Sequence, residues 1–138
     1  MPVYLADKSA LTRSDTRPEV REVVEPLLLA GRIATCGIVD LELLYSAPSR
    51  DTYFELAELL RGMPRVPVTD ATVDRALEVQ ALLASKAQHR SVPLPDLLIA
   101  ACAEAGGLTV LHYDADYERI AKVTGQPVQW VVRRGSVA

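Results

Sequence analysis

Short apolar runs and helical apolar stripes alternate along this chain. Residues 2–6 (Pro-Val-Tyr-Leu-Ala) suit a short buried strand ended by Asp7, and a short helix is expected over 9–13. Pro18 fits the first turn of a second helix, where its missing N–H costs nothing. Val20, Val23, Val24, Leu27 and Leu28 give that helix an apolar stripe at steps of three and four, and Gly31 stops it. Residues 32–36 read as the second strand, 38–46 as a helix, and 53–60 as a further helix beyond Pro48. A third strand is expected at Val66-Pro67-Val68, where the proline favours a sheet edge. Thr69 and Asp70 cap a long helix over 71–86, and a loop with a basic centre and two prolines covers 88–95. A helix starting at Asp96 ends at Gly106-Gly107. Residues 108–112 form a strand, 115–123 a helix and 128–132 a last strand.

Strands that alternate with helices imply a parallel sheet covered on both faces. The expected fold class is α/β, a three-layer α/β/α sandwich around a small, mostly parallel sheet. A chain of 138 residues supplies one core, so residues 1–138 are expected to form a single domain. No apolar stretch approaches the ~20 residues needed to span a bilayer. The N-terminus lacks a basic region before its apolar run and reads as a first strand, not a signal peptide. Cys36 and Cys102 fit neither a disulfide framework nor a zinc pattern and read as buried thiols, which points to the cytoplasm. The net charge of -3 decides nothing, but twelve of the fifteen cations are Arg, the residue suited to bidentate phosphate contacts.

In open parallel sheets, ligands collect beyond the carboxyl ends of the strands, near a switch in strand order. Asp7 follows the first strand directly. Asp114, with Asp116 behind it, follows the strand at 108–112, and if these strands are neighbours the acids converge on one rim. Glu42 lies within a helical leucine run, where capping does not explain it and burial is costly without a partner. Asp96 begins a helix that continues Leu97-Leu98-Ile99-Ala100-Ala101, at the boundary of solvent and core. Each acid has a plainer role open to it: Asp7, Asp96 and Asp114 can cap helices, and Asp116 can be a first-turn acid. Together they repel one another unless a cation neutralises them, and all-oxygen ligands select a hard ion, Mg2+ or Mn2+. His89 and His112 form no zinc-ligand spacing with any acid pair, and His112 reads as a strand-end filler.

Four segments then resemble the PIN-domain nucleases, and within them the VapC toxins of toxin–antitoxin pairs. They are Tyr4-Leu5-Ala6-Asp7-Lys8-Ser9-Ala10, Asp40-Leu41-Glu42-Leu43-Leu44-Tyr45-Ser46-Ala47, Pro95-Asp96-Leu97-Leu98-Ile99-Ala100-Ala101 and Leu111-His112-Tyr113-Asp114-Ala115-Asp116-Tyr117-Glu118-Arg119-Ile120. They occur in the family's order across nearly the whole chain. The resemblance implies that Asp7, Glu42, Asp96 and Asp114 are the catalytic acids. Asp7, Asp96 and Asp114 would be metal ligands, with Asp116 as an accessory or second-metal acid. It further implies Mg2+- or Mn2+-dependent endoribonuclease activity on RNA, in many relatives structured RNA such as tRNA, with inhibition of translation and growth. A VapB-like antitoxin and a homodimer are implied as partners. Lys8 departs from the pattern, since many relatives carry Thr or Ser there; Ser9 keeps a hydroxyl one place later and is expected to support Asp7.

RNA approaching a negative pocket needs flanking cations on its phosphates. Arg13, Arg17 and Arg21 near the first acid are candidates, as are Lys86, His89 and Arg90 before Asp96, with the 86–90 loop favoured. Aromatic residues are few, so base stacking is expected to contribute little. The apolar helices at 20–28 and 54–60 can offer a groove to an antitoxin helix or serve as ordinary core. Three other readings are a DNA-directed PIN-like nuclease, a phospho-receiver domain and a binding module whose acids are only caps. The receiver reading lacks an acidic pair after the first strand and a late Lys-Pro.

Overall fold

The computed structural model describes residues 1–138. Five strands form one parallel sheet in the order β3-β2-β1-β4-β5, with β1 Tyr4–Ala6, β2 Ile33–Cys36, β3 Arg65–Val66, β4 Thr109–His112 and β5 Val128–Trp130. The helices are α1 Lys8–Thr16, α2 Pro18–Leu29, α3 Gly37–Tyr45, α4 Arg50–Arg61, α5 Asp70–Ala84, α6 Leu94–Ala105 and α7 Asp116–Thr124. No helix is long and apolar enough to cross a membrane.

Side chains on a strand alternate between its faces, and here that alternation sorts the core into two. Leu5, Ala34, Cys36 and Val110 join the larger apolar cluster with residues of α3, α5, α6 and α7, among them Val39, Leu83, Ile99 and Tyr117. Ala6, Ile33 and Leu111, each next in line, join the smaller cluster with Ala10 of α1 and Val20 and Val24 of α2. Helices therefore cover both faces, which is the expected three-layer α/β/α sandwich. Both cysteines are buried and unbridged.

Several boundaries differ from expectation, each for a local reason. Helix α1 runs on to Thr16, because Thr12 and Arg13 bond back to the carbonyls of Lys8 and Ser9; it stops at Arg17, held extended before Pro18. Helix α4 begins at Arg50, earlier than expected, because Ser49 and Thr52 form a reciprocal capping box. Strand β3 lies at 65–66, ending where Pro67 withdraws a donor, and it does occupy the sheet edge. Helix α6 starts at Leu94, so Pro95 sits in its first turn and Asp96 one residue further in.

Asp40 fixes helix α3 to the sheet. Its carboxylate accepts a 2.6 Å hydrogen bond from the buried Thr35 hydroxyl of β2 and pairs with Arg65 of β3. Removing that acceptor leaves the buried Thr35 hydroxyl only a long 3.4 Å bond to the Cys36 carbonyl and leaves Arg65 unpaired, so Asp40→Ala is expected to cost about 1–3 kcal/mol in urea unfolding. An unchanged midpoint would show that the pair carries no weight.

Candidate metal centre

The chain reverses direction across the sheet between β1 and β4: β2 and β3 lie on one side of β1, while β4 and β5 lie on the other. These two strands are directly paired, so the residues that leave their carboxyl ends meet. Asp7 leaves β1 and caps α1, accepting from the Ser9 amide at 3.0 Å on Oδ2. Its Oδ1 accepts a 2.8 Å bond from the Tyr117 hydroxyl of α7, inside the core. Tyr117 stays a neutral donor, because burial and the charges of Asp7 and Asp96 hold its phenol well above the usual range.

The loop after β4 is held just as closely. The Tyr113 amide donates to Ser9 Oγ at 2.8 Å, and the Asp114 amide to His112 Nδ1 at 3.1 Å. Asp114 Oδ1 in turn accepts from the Asp116 amide at 2.9 Å. Ser9 therefore supports Asp7 through its amide, while its hydroxyl braces the opposite loop. His112 is more than filler: fully buried against Tyr117 and Trp130, it is pushed down to about 4, chiefly by burial, and remains a neutral acceptor.

Asp96 projects from the first turn of α6 into the same place. One oxygen from each of Asp96, Asp114 and Asp116 lies within 4.8 Å of the others. Asp7 and Glu42 are not within that span of all three, yet their charges reach it. Asp96 is pushed up to about 8, first by burial and then by the charges of Asp7, Asp114, Asp116 and Glu42. Glu42 is raised by burial and by Asp7, with Lys8 opposing; Asp116 is raised by burial and by Asp114, with Arg119, its 2.7 Å partner, opposing.

Asp96 Oδ2 is buried with no hydrogen-bond partner at all. A buried carboxylate oxygen without a donor, on a residue gathered with two further carboxylates, is stabilised either by a proton held on Asp96 or by a cation, and the cluster fits the latter. The all-oxygen donor set suits a hard divalent ion. Sequence reasoning missed Tyr117 and His112 as supports, since neither is marked by local spacing.

The cations sort differently. Arg13 is committed to the carbonyls of Ser9 and Ala138 and to the Tyr113 ring, and Arg21 to the carbonyls of Ser14 and Asp15. Lys86 and Arg90, on the exposed turn between α5 and α6, have side chains in no ion pair or hydrogen bond within the chain.

An acid raised in the fold above its unfolded value keeps a proton that the unfolded chain has lost, so metal-free stability falls as pH rises between the two values. Relative to Asp96→Asn, metal-free wild type is expected to lose about 1–2 kcal/mol between roughly pH 6.5 and 8. A divalent cation that binds the cluster should restore the loss. Urea unfolding of both proteins measures it, and a difference flat in pH would contradict the burial of Asp96 as a strained carboxylate.

The sequence profile of the family described as PIN domain matches residues 4–123. Among curated proteins, Ribonuclease VapC21 of Mycobacterium tuberculosis is 48% identical over 134 residues, covering 96% of each chain. Ribonuclease VapC18 of the same organism is 46% identical over 137 residues, covering 98% of this chain and 99% of its own. Among solved structures, DNA-bound VapBC from Salmonella typhimurium superposes with a TM-score of 0.73 at 20% identity, covering 96% of this chain and all of its counterpart, which speaks to the fold. VapBC2 from Rickettsia felis, bound to a promoter DNA fragment, gives 0.74 at 17% identity, covering 93% of this chain and 98% of that one. With its acids gathered at the β1–β4 rim and these likenesses spanning nearly its full length, the chain belongs to the PIN-domain family, in the group of the VapC ribonucleases.

Proposed function

We propose that residues 1–138 act as one PIN domain, a metal-dependent endoribonuclease and the toxin of a toxin–antitoxin pair, cleaving structured RNA such as tRNA and so halting translation and growth. The observation that carries this reading is the partnerless buried oxygen of Asp96 beside Asp114 and Asp116. Asp7, Asp96, Asp114 and Asp116 would hold the ion, Mg2+ with Mn2+ able to substitute. When bound, such an ion polarises a phosphodiester and activates water at neutral pH.

The remaining work falls to the chain's own groups. Tyr117 and the Ser9 amide keep Asp7 oriented toward the rim, and His112 with Ser9 fixes the loop that carries Asp114. Glu42, half-buried at the edge of the cluster, takes one proton of the water whose oxygen forms the new bond to phosphorus; the P–O bond to the leaving sugar oxygen breaks, and that oxygen takes a proton from solvent. Lys86 and Arg90 meet flanking phosphates, and Arg13 contributes less because its guanidinium is already engaged. Relatives are named as ribonucleases and the solved neighbours are VapBC complexes, which supports RNA as substrate and a VapB-like antitoxin as partner. The apolar groove bounded by Leu11, Leu28, Leu56, Leu59 and Met63, floored by the buried Leu43 and Leu60, offers that antitoxin a seat; Val20 and Val24 of α2 are core. A homodimer carries the complex, in the cytoplasm, where the two free thiols stay reduced.

The test is cleavage of folded RNA and of DNA by wild type and Asp96→Asn, with Mg2+ and with EDTA. RNA cleavage should fall by at least about a hundredfold in the variant and vanish in EDTA, since the ion and its ligands act as a unit. Activity that survives both would end the proposal, and preferential DNA cleavage would replace its substrate. In the same assay, Arg90→Ala should lower the salt dependence of cleavage; an unchanged slope removes Arg90 from the RNA path.

A further inference from the structure

Of the chain's five Tyr, one Trp and one Phe, the residues Tyr113, Tyr117 and Trp130 gather around His112 at the end of β4. Tyr45, Tyr53 and Phe54 instead lie exposed on α3 and α4. Tyr45, the last residue of α3, is 90% exposed. A single exposed ring is ordinary, but Tyr45 shares a cleft with the exposed Leu41 and Tyr53, and a contiguous exposed apolar patch marks a place of contact.

The neighbourhood of Tyr45 narrows the choice of ligand. Leu41, Glu42 and Tyr45 share one face of α3 and, with Lys8 and Tyr53, line a cleft of about 560 Å3. Glu42 also bears on Asp96 through its charge, so this cleft adjoins the carboxylate rim at Glu42. Lys8, one of only three lysines, is half-buried in it and forms no salt bridge, and its charge opposes the rise in Glu42. An ammonium, an exposed phenol ring and a second phenol therefore line one cleft together with Glu42.

Taking the endoribonuclease reading as given, we propose that Lys8, Tyr45 and Tyr53 form a subsite for one unpaired nucleotide adjoining the scissile phosphate, with the base stacked on Tyr45 and a flanking phosphate on Lys8. A ring face accepts any base, so the subsite selects for an unstacked nucleotide and is indifferent to sequence. Bases within a duplex do not present their faces, so loops and single-stranded ends are preferred over paired RNA. The departure of Lys8 from the family's usual hydroxyl residue becomes a phosphate contact, and stacking contributes more than the small aromatic content suggests. A protein partner would instead meet a lysine and a carboxylate at the centre of its contact, a costly pair to desolvate.

The test uses the full-length protein, a short single-stranded oligoribonucleotide and the same strand annealed to its complement. Binding is followed by fluorescence anisotropy with Ca2+ in place of Mg2+, and cleavage with Mg2+ is measured alongside. Tyr45→Ala should weaken single-strand binding by about fivefold to a hundredfold, while Tyr45→Phe retains it, because stacking needs only the ring. Lys8→Gln should reduce the slope of log K against log salt by about 0.7, the share of one phosphate on a single strand. Duplex binding should not respond to Tyr45→Ala. Single-strand binding unchanged in Tyr45→Ala, while Asp96-dependent cleavage persists, overturns the subsite and leaves the nuclease standing. A weaker Tyr45→Ala whose elution on gel filtration also shifts identifies a protein interface and overturns it too. Absence of any RNA binding or cleavage by wild type overturns the subsite and the nuclease reading together.

Discussion

The sharpest constraint in this fold is the repulsion among carboxylates brought together at the ends of two adjacent central strands. Asp96, Asp114 and Asp116 stand within one ion's reach, and Asp7 and Glu42 add their charge from beside them. Asp96 and Asp7, 7% and 4% exposed, cannot turn away into solvent as surface acids do. Without a cation the fold answers by holding a proton on Asp96. A cation placed among the same oxygens would relieve that repulsion, which is the basis of the proposed metal site.

Much of the surrounding structure keeps that repulsion from prising the rim apart. Tyr117 reaches from α7 across the core to Asp7, a bond spanning 110 residues of sequence. Ser9 joins the two loops, its amide on Asp7 and its hydroxyl on Tyr113. His112, neutral because it is buried, holds the backbone of Asp114. Asp40, paired with Thr35 and Arg65, anchors the helix that carries Glu42. Each support is a neutral or paired group, so the rim gains rigidity without gaining charge.

The layered fold was legible because period-two and helical stripes are local signals, and Pro18, Gly31 and Thr69 punctuate them. Boundaries slipped where local signals mislead: Pro95 reads as a stop but fits a first helical turn, and the polar residues 14–16 show no stripe while still being helical. Asp7, Asp114 and Asp116 became candidates by their places after strands, Glu42 and Asp96 by their places on helices, and all by the four family segments; the fold brings Asp96, Asp114 and Asp116 together. Burial of an acid in a leucine run could not by itself have chosen Glu42, since Asp40, two residues away, is also buried and is paired within the structure. Tyr117, His112 and the Lys8–Tyr45 cleft were illegible because each depends on contacts between distant segments.

The most direct test of the shared acidic pocket is calorimetric titration of Mn2+ into wild type, Tyr117→Phe and Asp96→Asn. Saturable binding by wild type is predicted, weakened about tenfold in Tyr117→Phe through loss of an outer support and abolished in Asp96→Asn. Absence of Mn2+ binding, or binding indifferent to Asp96→Asn, would contradict the account.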